Sequence, residues 1–140
     1  MRFVWTPELS VGIELIDEQH RELYARLDRF LATAAAGRVD ELLDLLHFLA
    51  GYVEEHFHTE EELMRSSGYP DLDAHVAEHG SFRGLFAALV ARFARYGDDA
   101  RVTEFARREV CTWLEAHVCT TDRVLADWLR AHAHAHAQVA

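Results

Sequence analysis

The fold of this chain is decided by the stretch His56-Phe57-His58-Thr59-Glu60. His56 and Glu60 are four residues apart, so on an α-helix their side chains point the same way from successive turns. A neutral imidazole and a carboxylate on one helix face form half of a metal site. One such pair means little by itself, because exposed helices carry histidine and glutamate at this spacing by chance.

Similar groups recur along the chain, each in a different predicted helix. His75 and His79 are also four residues apart, His117 and Asp122 are five apart, and His20 follows a helix-start pattern near the N-terminus. If these helices pack together, they bring seven potential metal ligands to one place. This repetition makes a metal site a better explanation of the first pair than chance.

Length and charge narrow the class of protein. A chain of 140 residues, half of them apolar, suits one domain over residues 1–140 with a substantial core. The net charge of −10 argues against nucleic acid and anionic membranes as partners. No run approaches the ~20 apolar residues of a membrane span, and the start does not look like a signal peptide. We therefore expect a cytoplasmic protein, and a monomer.

The hydrophobic pattern is that of an all-α protein, because no stretch shows the alternation of a strand. Amphipathic segments with short connections predict an up-down-up-down four-helix bundle with an N-terminal arm and a short C-terminal helical segment. Asp17 and Asp40 are the predicted N-caps of the first two helices, and Gly37 ends the first. After an extended arm over 1–16, the predicted helices cover residues 18–36, 41–66, 72–96 and 100–120, with a last segment over 122–131.

The spacing of His117 and Asp122 predicts a distortion in the fourth helix. Five residues advance an α-helix by about 500°, which points the two side chains apart. Both can face one centre only if a widened turn or a break lies between them, near Thr120-Thr121.

The potential ligands fall on apolar helix faces, where a metal ion explains them best. Five buried histidines with Glu60 and Asp122 cannot easily all find partners within the protein, and two carboxylates buried together without a cation would be costly. Imidazole and carboxylate without thiolate suit iron, zinc, copper or manganese. The neighbouring polar residues are predicted to be solvated surface: Glu54, Glu55, His58, Glu61 and Glu62.

Counting donors predicts two ions. If both carboxylates bridge, five nitrogens and four oxygens supply nine donor atoms, and two six-coordinate ions have about twelve positions. A bridging hydroxide fills two more and leaves one open for a small ligand, which favours iron with dioxygen. The Glu-x-x-His pairs of ferritin-type proteins are not repeated here, since only Glu55 and His58 have that spacing. A zinc-protease His-Glu-x-x-His motif is absent.

The cysteines and the histidine-rich C-terminus receive no function from these patterns. Cys111 and Cys119 are eight residues apart in one predicted helix, about 12 Å along its axis, which is too far for a disulfide. We expect two small buried or half-buried side chains, with a redox-active thiol at Cys119 as the alternative. Residues 132–140, in which His132, His134 and His136 alternate with alanine, are predicted to be a frayed tail, with weak metal binding as the alternative.

Four motifs follow one another along the chain: Val11-Gly12-Ile13 with Ile16-Asp17-Glu18-Gln19-His20, His56-Phe57-x-x-Glu60-Glu61, His75-x-x-x-His79, and Trp113-x-x-x-His117-x-x-x-x-Asp122. Together they resemble those of bacteriohemerythrins, the single-domain bacterial members of the hemerythrin family. The resemblance extends from Trp5 to about Trp128. It is specific, because seven residue types and their spacings agree at once.

The resemblance implies a non-haem di-iron centre that binds O2 reversibly, for carriage, storage or delivery. O2 would bind as a hydroperoxide on the iron with two histidines, with both irons cycling between Fe2+ and Fe3+ and an oxo or hydroxo bridge between them. The implied ligands are His75, His79 and His117 on one iron, His20 and His56 on the other, and Glu60 and Asp122 as bridges. The implied O2 pocket is lined by Leu23, Phe57, Trp113, Leu114 and Val118.

Two other functions stay open. The same centre could serve an O2 or redox sensor that acts on a partner, or a di-iron reductase of peroxide or nitric oxide. We expect a binding protein rather than an enzyme, because the sequence shows no second redox motif.

Overall fold

Helices make up nearly the whole structure. The computed structural model describes residues 2–35 and 41–139, and their side chains over 2–34 and 41–132. Three long helices are α1 (Glu14–Ala35), α2 (Glu41–Ser67) and α3 (Leu72–Tyr96). A fourth rod joins α4 (Ala100–Phe105), the π-helical turn π1 (Ala106–Cys111), α5 (Thr112–Ala116), the π-helical turn π2 (His117–Thr121) and α6 (Asp122–Val139). No strand occurs in the described ranges, so the predicted all-α four-helix bundle with a C-terminal helical segment is confirmed.

Most helix ends lie close to their predicted positions. Helix α3 has the predicted bounds, and α2 ends one residue later than predicted, before Gly68. Gly68 and Gly97 adopt φ angles of 73° and 63°, the left-handed conformation that lets a glycine end a helix. The predicted end of the first helix near Gly37 and the predicted N-cap Asp40 lie outside the described residues.

The first helix begins earlier than predicted, and its start holds the N-terminal arm. Helix α1 starts at Glu14, so Asp17 lies in its first turn and is not the N-cap. The buried Asp17 carboxylate accepts hydrogen bonds from the Val11 amide at 2.8 Å and the Ser10 hydroxyl at 2.5 Å. These bonds turn the chain back from α1. The arm is therefore not extended throughout, and it contains a 3₁₀ turn at Pro7–Leu9.

The core joins all four rods. Helix α1 packs on α2, α2 on α3, and α3 on the fourth rod. The bundle closes between α1 and the fourth rod, where the Tyr24 hydroxyl lies 3.6 Å from the Cys119 sulfur. Both cysteines are free thiols; Cys111 is buried as predicted, whereas Cys119 is exposed and not buried or half-buried as predicted. No helix in the part of the chain that the structure describes is long and apolar enough to cross a membrane.

The predicted distortion of the fourth helix is present as π2. A π-helical turn inserts about one extra residue into an α-helix, which changes the direction of every later side chain. The Nε2 atom of His117 lies 3.1 Å from Oδ1 of Asp122, so the widened turn brings both residues to one point. The second such turn, π1, was not predicted from the sequence.

The end of the fourth rod is longer than predicted. Helix α6 continues to Val139, whereas the predicted segment ended at Ala131. His132 is exposed, and its ring stacks on Trp128 with 4.1 Å between the ring centroids. The side chains of His134 and His136 lie outside the described part, so weak metal binding by this tail stays an alternative.

Candidate metal centre

Seven predicted ligands meet inside the bundle, and none is more than 3 % exposed. Helix α1 supplies one, α2 and α3 supply two each, and the first residues of π2 and of α6 supply the last two. The seven are His20, His56, Glu60, His75, His79, His117 and Asp122. His47 and His58, by contrast, are exposed. The structure therefore separates the five histidines that the sequence placed on apolar helix faces from the surface histidines.

The seven side chains form two overlapping groups. In each group, one ligand atom per residue can be chosen so that all lie within 4.8 Å of one another. The three-histidine group contains Glu60, His75, His79 and His117, and the two-histidine group contains His20, His56, Glu60 and Asp122. Each group is the size of a first coordination sphere, and Glu60 belongs to both.

Asp122 also faces both groups, with one oxygen toward each. Its Oδ1 lies 3.3 Å from Nε2 of His75 and 3.1 Å from Nε2 of His117. Its Oδ2 lies 3.0 Å from Nε2 of His20 and 3.9 Å from that of His56. A carboxylate whose two oxygens face different sets of imidazoles has the arrangement of a bridging ligand.

Glu60 lies between the groups in a less symmetric way. Its Oε1 is 3.1 Å from Nε2 of His56 in the two-histidine group and 3.4 Å from Nε2 of His79 in the three-histidine group. Its Oε2 is 3.8 Å from Nε2 of His75. Both carboxylates thus stand at the boundary between the two groups.

The buried polar atoms of this centre lack partners that a cation would supply. Among the described side chains, only Trp5 and Thr103 have such unpartnered buried atoms elsewhere. In the centre they include Nε2 of His75, His79 and His117 and all four oxygens of Glu60 and Asp122. Orphaned acceptors at this density are costly in a protein interior. This set of donor atoms suits metal ions that prefer nitrogen and oxygen ligands.

The charges of the centre act strongly on one another. Burial lowers the pKa of His56, but the nearby Glu60 and Asp122 outweigh it and raise that pKa to about 9. The same balance raises the pKa of His117 to about 10. Burial and Asp122 raise the pKa of Glu60, yet the surrounding imidazoles lower it to about 2. The carboxylates are therefore ionised, and protons on the imidazoles compete with metal ions for the same nitrogens.

Two residues outside the predicted ligand set, Gln19 and Glu61, orient imidazoles by hydrogen bonds, and a third, Glu78, lies near His117. His56 donates from Nδ1 to Oε1 of Gln19 at 2.7 Å, and His79 donates from Nδ1 to Oε2 of Glu61 at 2.7 Å. Nδ1 of His117 lies 3.8 Å from Oε1 of Glu78. The two hydrogen bonds keep a proton on Nδ1 of His56 and His79, so Nε2 is the nitrogen that can bind a metal ion.

Sequence reasoning missed these outer partners. The prediction that Glu61 is solvated surface is wrong, because its side chain is 13 % exposed and bonded to His79. Histidines that bind a metal usually donate their other ring N–H to a carboxylate or a carbonyl. Glu61 directly follows the predicted ligand Glu60, so this rule could have indicated its role from the sequence.

The residues of the implied O2 pocket lie in the core beside the centre. Leu23, Phe57, Leu114 and Val118 are buried in one apolar cluster, and the half-buried Trp113 packs against it. Both aromatic members stack on imidazoles of the three-histidine group. The ring centroids of Phe57 and His79 are 3.7 Å apart, and those of Trp113 and His117 are 4.6 Å apart.

A four-helix bundle with this buried ligand set defines a class of metal-binding proteins. Residues 11–135 match the Hemerythrin HHE cation binding domain. A bacteriohemerythrin of Stenotrophomonas maltophilia is 35% identical over 92% of this chain and 82% of its own length. One of Methylococcus capsulatus is 33% identical over 91% and 96%.

Two more distant matches also cover most of the chain. A myohemerythrin of Theromyzon tessulatum is 28% identical over 86% of this chain and 88% of its own length. A solved structure, described as crystal structures of a leucine-to-phenylalanine mutant, matches with a TM-score of 0.72 and 29% identity over 89% of this chain and 94% of its own. The chain belongs to the hemerythrin family, whose members generally bind O2 at a non-haem di-iron site.

Proposed function

We propose that this protein binds O2 reversibly at a centre of two irons, as a carrier, store or local supplier of O2. The observation that supports this most directly is the position of Glu60 and Asp122 between two sets of imidazoles. Ligands shared in this way suit two ions held side by side rather than two separate sites.

The ligand assignment follows the two groups. His75, His79 and His117 would hold one iron, His20 and His56 the other, and Glu60 and Asp122 would bridge them, together with an oxo or hydroxo group. When bound, the iron pair supplies the two electrons that reduce O2 reversibly at an open coordination position. The two-histidine group has one imidazole fewer, so we assign the open position to it.

The apolar cluster beside the centre would keep water away from bound O2. Leu23, Phe57, Leu114 and Val118 are each at most 5 % exposed. An enclosed apolar wall offers no proton donor and excludes solvent, which slows the proton transfer that would release reduced oxygen. These side chains also belong to the core, so they serve packing and protection together.

The test is an optical cycle on the iron-loaded protein. The dithionite-reduced protein is freed of reductant, and its visible spectrum is recorded without O2, in air, and again after O2 is removed. We expect an absorption band that appears in air and disappears when O2 is removed. Direct and irreversible oxidation in air would contradict reversible binding, and would favour the sensor or the peroxide or nitric oxide reductase instead.

A further inference from the structure

The two groups of ligands differ in what lies behind their imidazoles. In the three-histidine group, Nδ1 of His79 donates to the Glu61 carboxylate at 2.7 Å. In the two-histidine group, Nδ1 of His56 donates to the neutral amide of Gln19, also at 2.7 Å. The two hydrogen bonds have the same length and the same role in fixing a ring, but only one acceptor is charged.

Glu61 is the dominant charge behind the three-histidine group. Its side chain is 13 % exposed, and Arg65 lies on its outer side at 3.7 Å, which leaves the other oxygen for His79. Glu78 is also near this group, but it lies 3.8 Å from His117 and is 44 % exposed. Solvent screens an exposed carboxylate far more than a buried one, so Glu61 has the larger effect.

Gln19 is held firmly despite having no charge. The Tyr52 hydroxyl donates to the Gln19 backbone oxygen at 2.5 Å, and Nε2 of Gln19 donates to the Thr59 hydroxyl at 3.4 Å. The other imidazole of this group, His20, has no hydrogen-bond partner at Nδ1 among the described residues. In the two-histidine group, Gln19 therefore fixes the orientation of the His56 ring, but no negatively charged group accepts a hydrogen bond from Nδ1 of either ring.

We propose that Glu61 makes the three-histidine position the tighter one, which fills first, and that the neutral Gln19 keeps the two-histidine position weaker. This inference rests on the proposed function. A carboxylate that accepts the Nδ1 proton increases the electron density of the ring, so Nε2 becomes a stronger ligand, whereas an amide does so much less. Glu61 and Gln19 act through His79 and His56 and are positioning residues.

The test exchanges the two acceptors by nearly isosteric substitutions. Co2+ is titrated into four forms of the metal-free chain: the parent, Glu61→Gln, Gln19→Glu and the control Glu62→Gln. All carry alanine at the three tail histidines, which removes competing imidazoles. Glu62 is a suitable control because it is 60 % exposed and pairs with Arg65, so its loss removes the same charge one residue away. Calorimetry gives the affinity of each step, and the visible bands of Co2+ report its coordination.

The parent is expected to bind two Co2+ in two steps. Glu61→Gln should weaken the first step by about 10- to 100-fold and leave the second, and Gln19→Glu should strengthen the second step by about tenfold or more. Glu62→Gln should change neither step. The inference would be overturned if the affinity of the first step in Glu61→Gln stayed within twofold of that of the parent. It would also be overturned if the affinity of the second step did not rise in Gln19→Glu.

The two substitutions test the inference separately, so a fold lost in one variant leaves the other decisive. Fewer than two Co2+ in the parent would count against the two-metal centre itself and so against the proposed function. Two steps in the parent without the predicted response of the variants would overturn only the roles of Glu61 and Gln19.

Discussion

At the scale of single residues, Glu60 is the side chain on which both groups of ligands depend. It is fully buried, and its oxygens face His56, His75 and His79. We predict that Glu60→Ala reduces the iron content to at most one ion per chain, because each position loses a donor at once. Elemental analysis of the reconstituted variant measures this. The exposed Glu55→Ala on the same helix is the control, and an unchanged iron content in Glu60→Ala would rule out the bridging role.

The imidazole charges predict a pH dependence of metal binding. Between pH 7 and 8, His56 and His117, with pKa values of about 9 and about 10, carry protons that a metal ion must displace. Binding of two Fe2+ without O2 should therefore release at least two protons per chain at pH 7.5, and a third if a bridging hydroxide forms from water. The apparent affinity should rise with pH and level off above the two pKa values. Calorimetry in two buffers of different ionisation enthalpy measures the release, and no net release at pH 7.5 would contradict it.

Leu114 tests the protective role of the apolar cluster. Leu114→Ala should leave the iron bound but speed the conversion of the air-exposed protein to its oxidised form, because water gains access to the centre. The cavity should also cost about 2–5 kcal/mol of unfolding free energy. Leu89→Ala is the matched control, since Leu89 is equally buried but lies ten residues from His79, about 15 Å along α3. Equal oxidation rates in the two variants would refute the role.

At the scale of elements, Asp17 connects the N-terminal arm to α1. The Asp17→Ala substitution removes both hydrogen bonds of the buried carboxylate and leaves the Val11 amide without a partner. We predict a loss of about 1–3 kcal/mol in unfolding free energy, measured by urea denaturation, with the iron content unchanged. Ser10→Ala removes one of the two bonds to Asp17 and the exposed bond that the Ser10 hydroxyl accepts from the Gly12 amide, but it should cost less because the buried Val11 amide keeps its partner. Equal stability of Asp17→Ala and the parent would show that this contact does not hold the arm.

The elements also show how far the sequence alone could lead. Helix α3 was predicted at both ends because its apolar period is regular and Gly97 follows it. The widened turn π2 was predictable because two ligands five residues apart had to meet. The turn π1 had no such signal, since no pair of functional residues spans it. Asp17 is a frequent N-cap residue, but its contacts with the arm come from tertiary structure.

The candidate site was more predictable than its surroundings. All five histidines and both carboxylates were found from periodicity, because burial of so many polar groups on apolar faces has few explanations. Glu61 was predicted to be solvated surface because its helix position lies beside the apolar stripe rather than on it, and Glu78 received no role. Their contacts with His79 and His117 depend on how α2, α3 and π2 pack together, which periodicity does not reveal.

At the scale of the whole molecule, the bundle and the centre depend on each other. Each of the four rods contributes at least one ligand, so a metal pair would join all of them. A ligand that binds only the folded state stabilises it, by about 2.7 kcal/mol when its concentration is a hundred times its dissociation constant. The order of the helices and the position of π2 in turn fix the ligands before any ion arrives.

The amount of iron bound per chain tests directly whether two ions share the buried centre. The purified chain is reconstituted with Fe2+ without O2, unbound iron is removed, and iron and protein are quantified. A variant with alanine at His132, His134 and His136 is analysed beside it, so that metal bound by the tail is not counted. We predict about two irons per chain in both proteins. One iron per chain, or none, in the variant would contradict a centre in which Glu60 and Asp122 are shared by two ions.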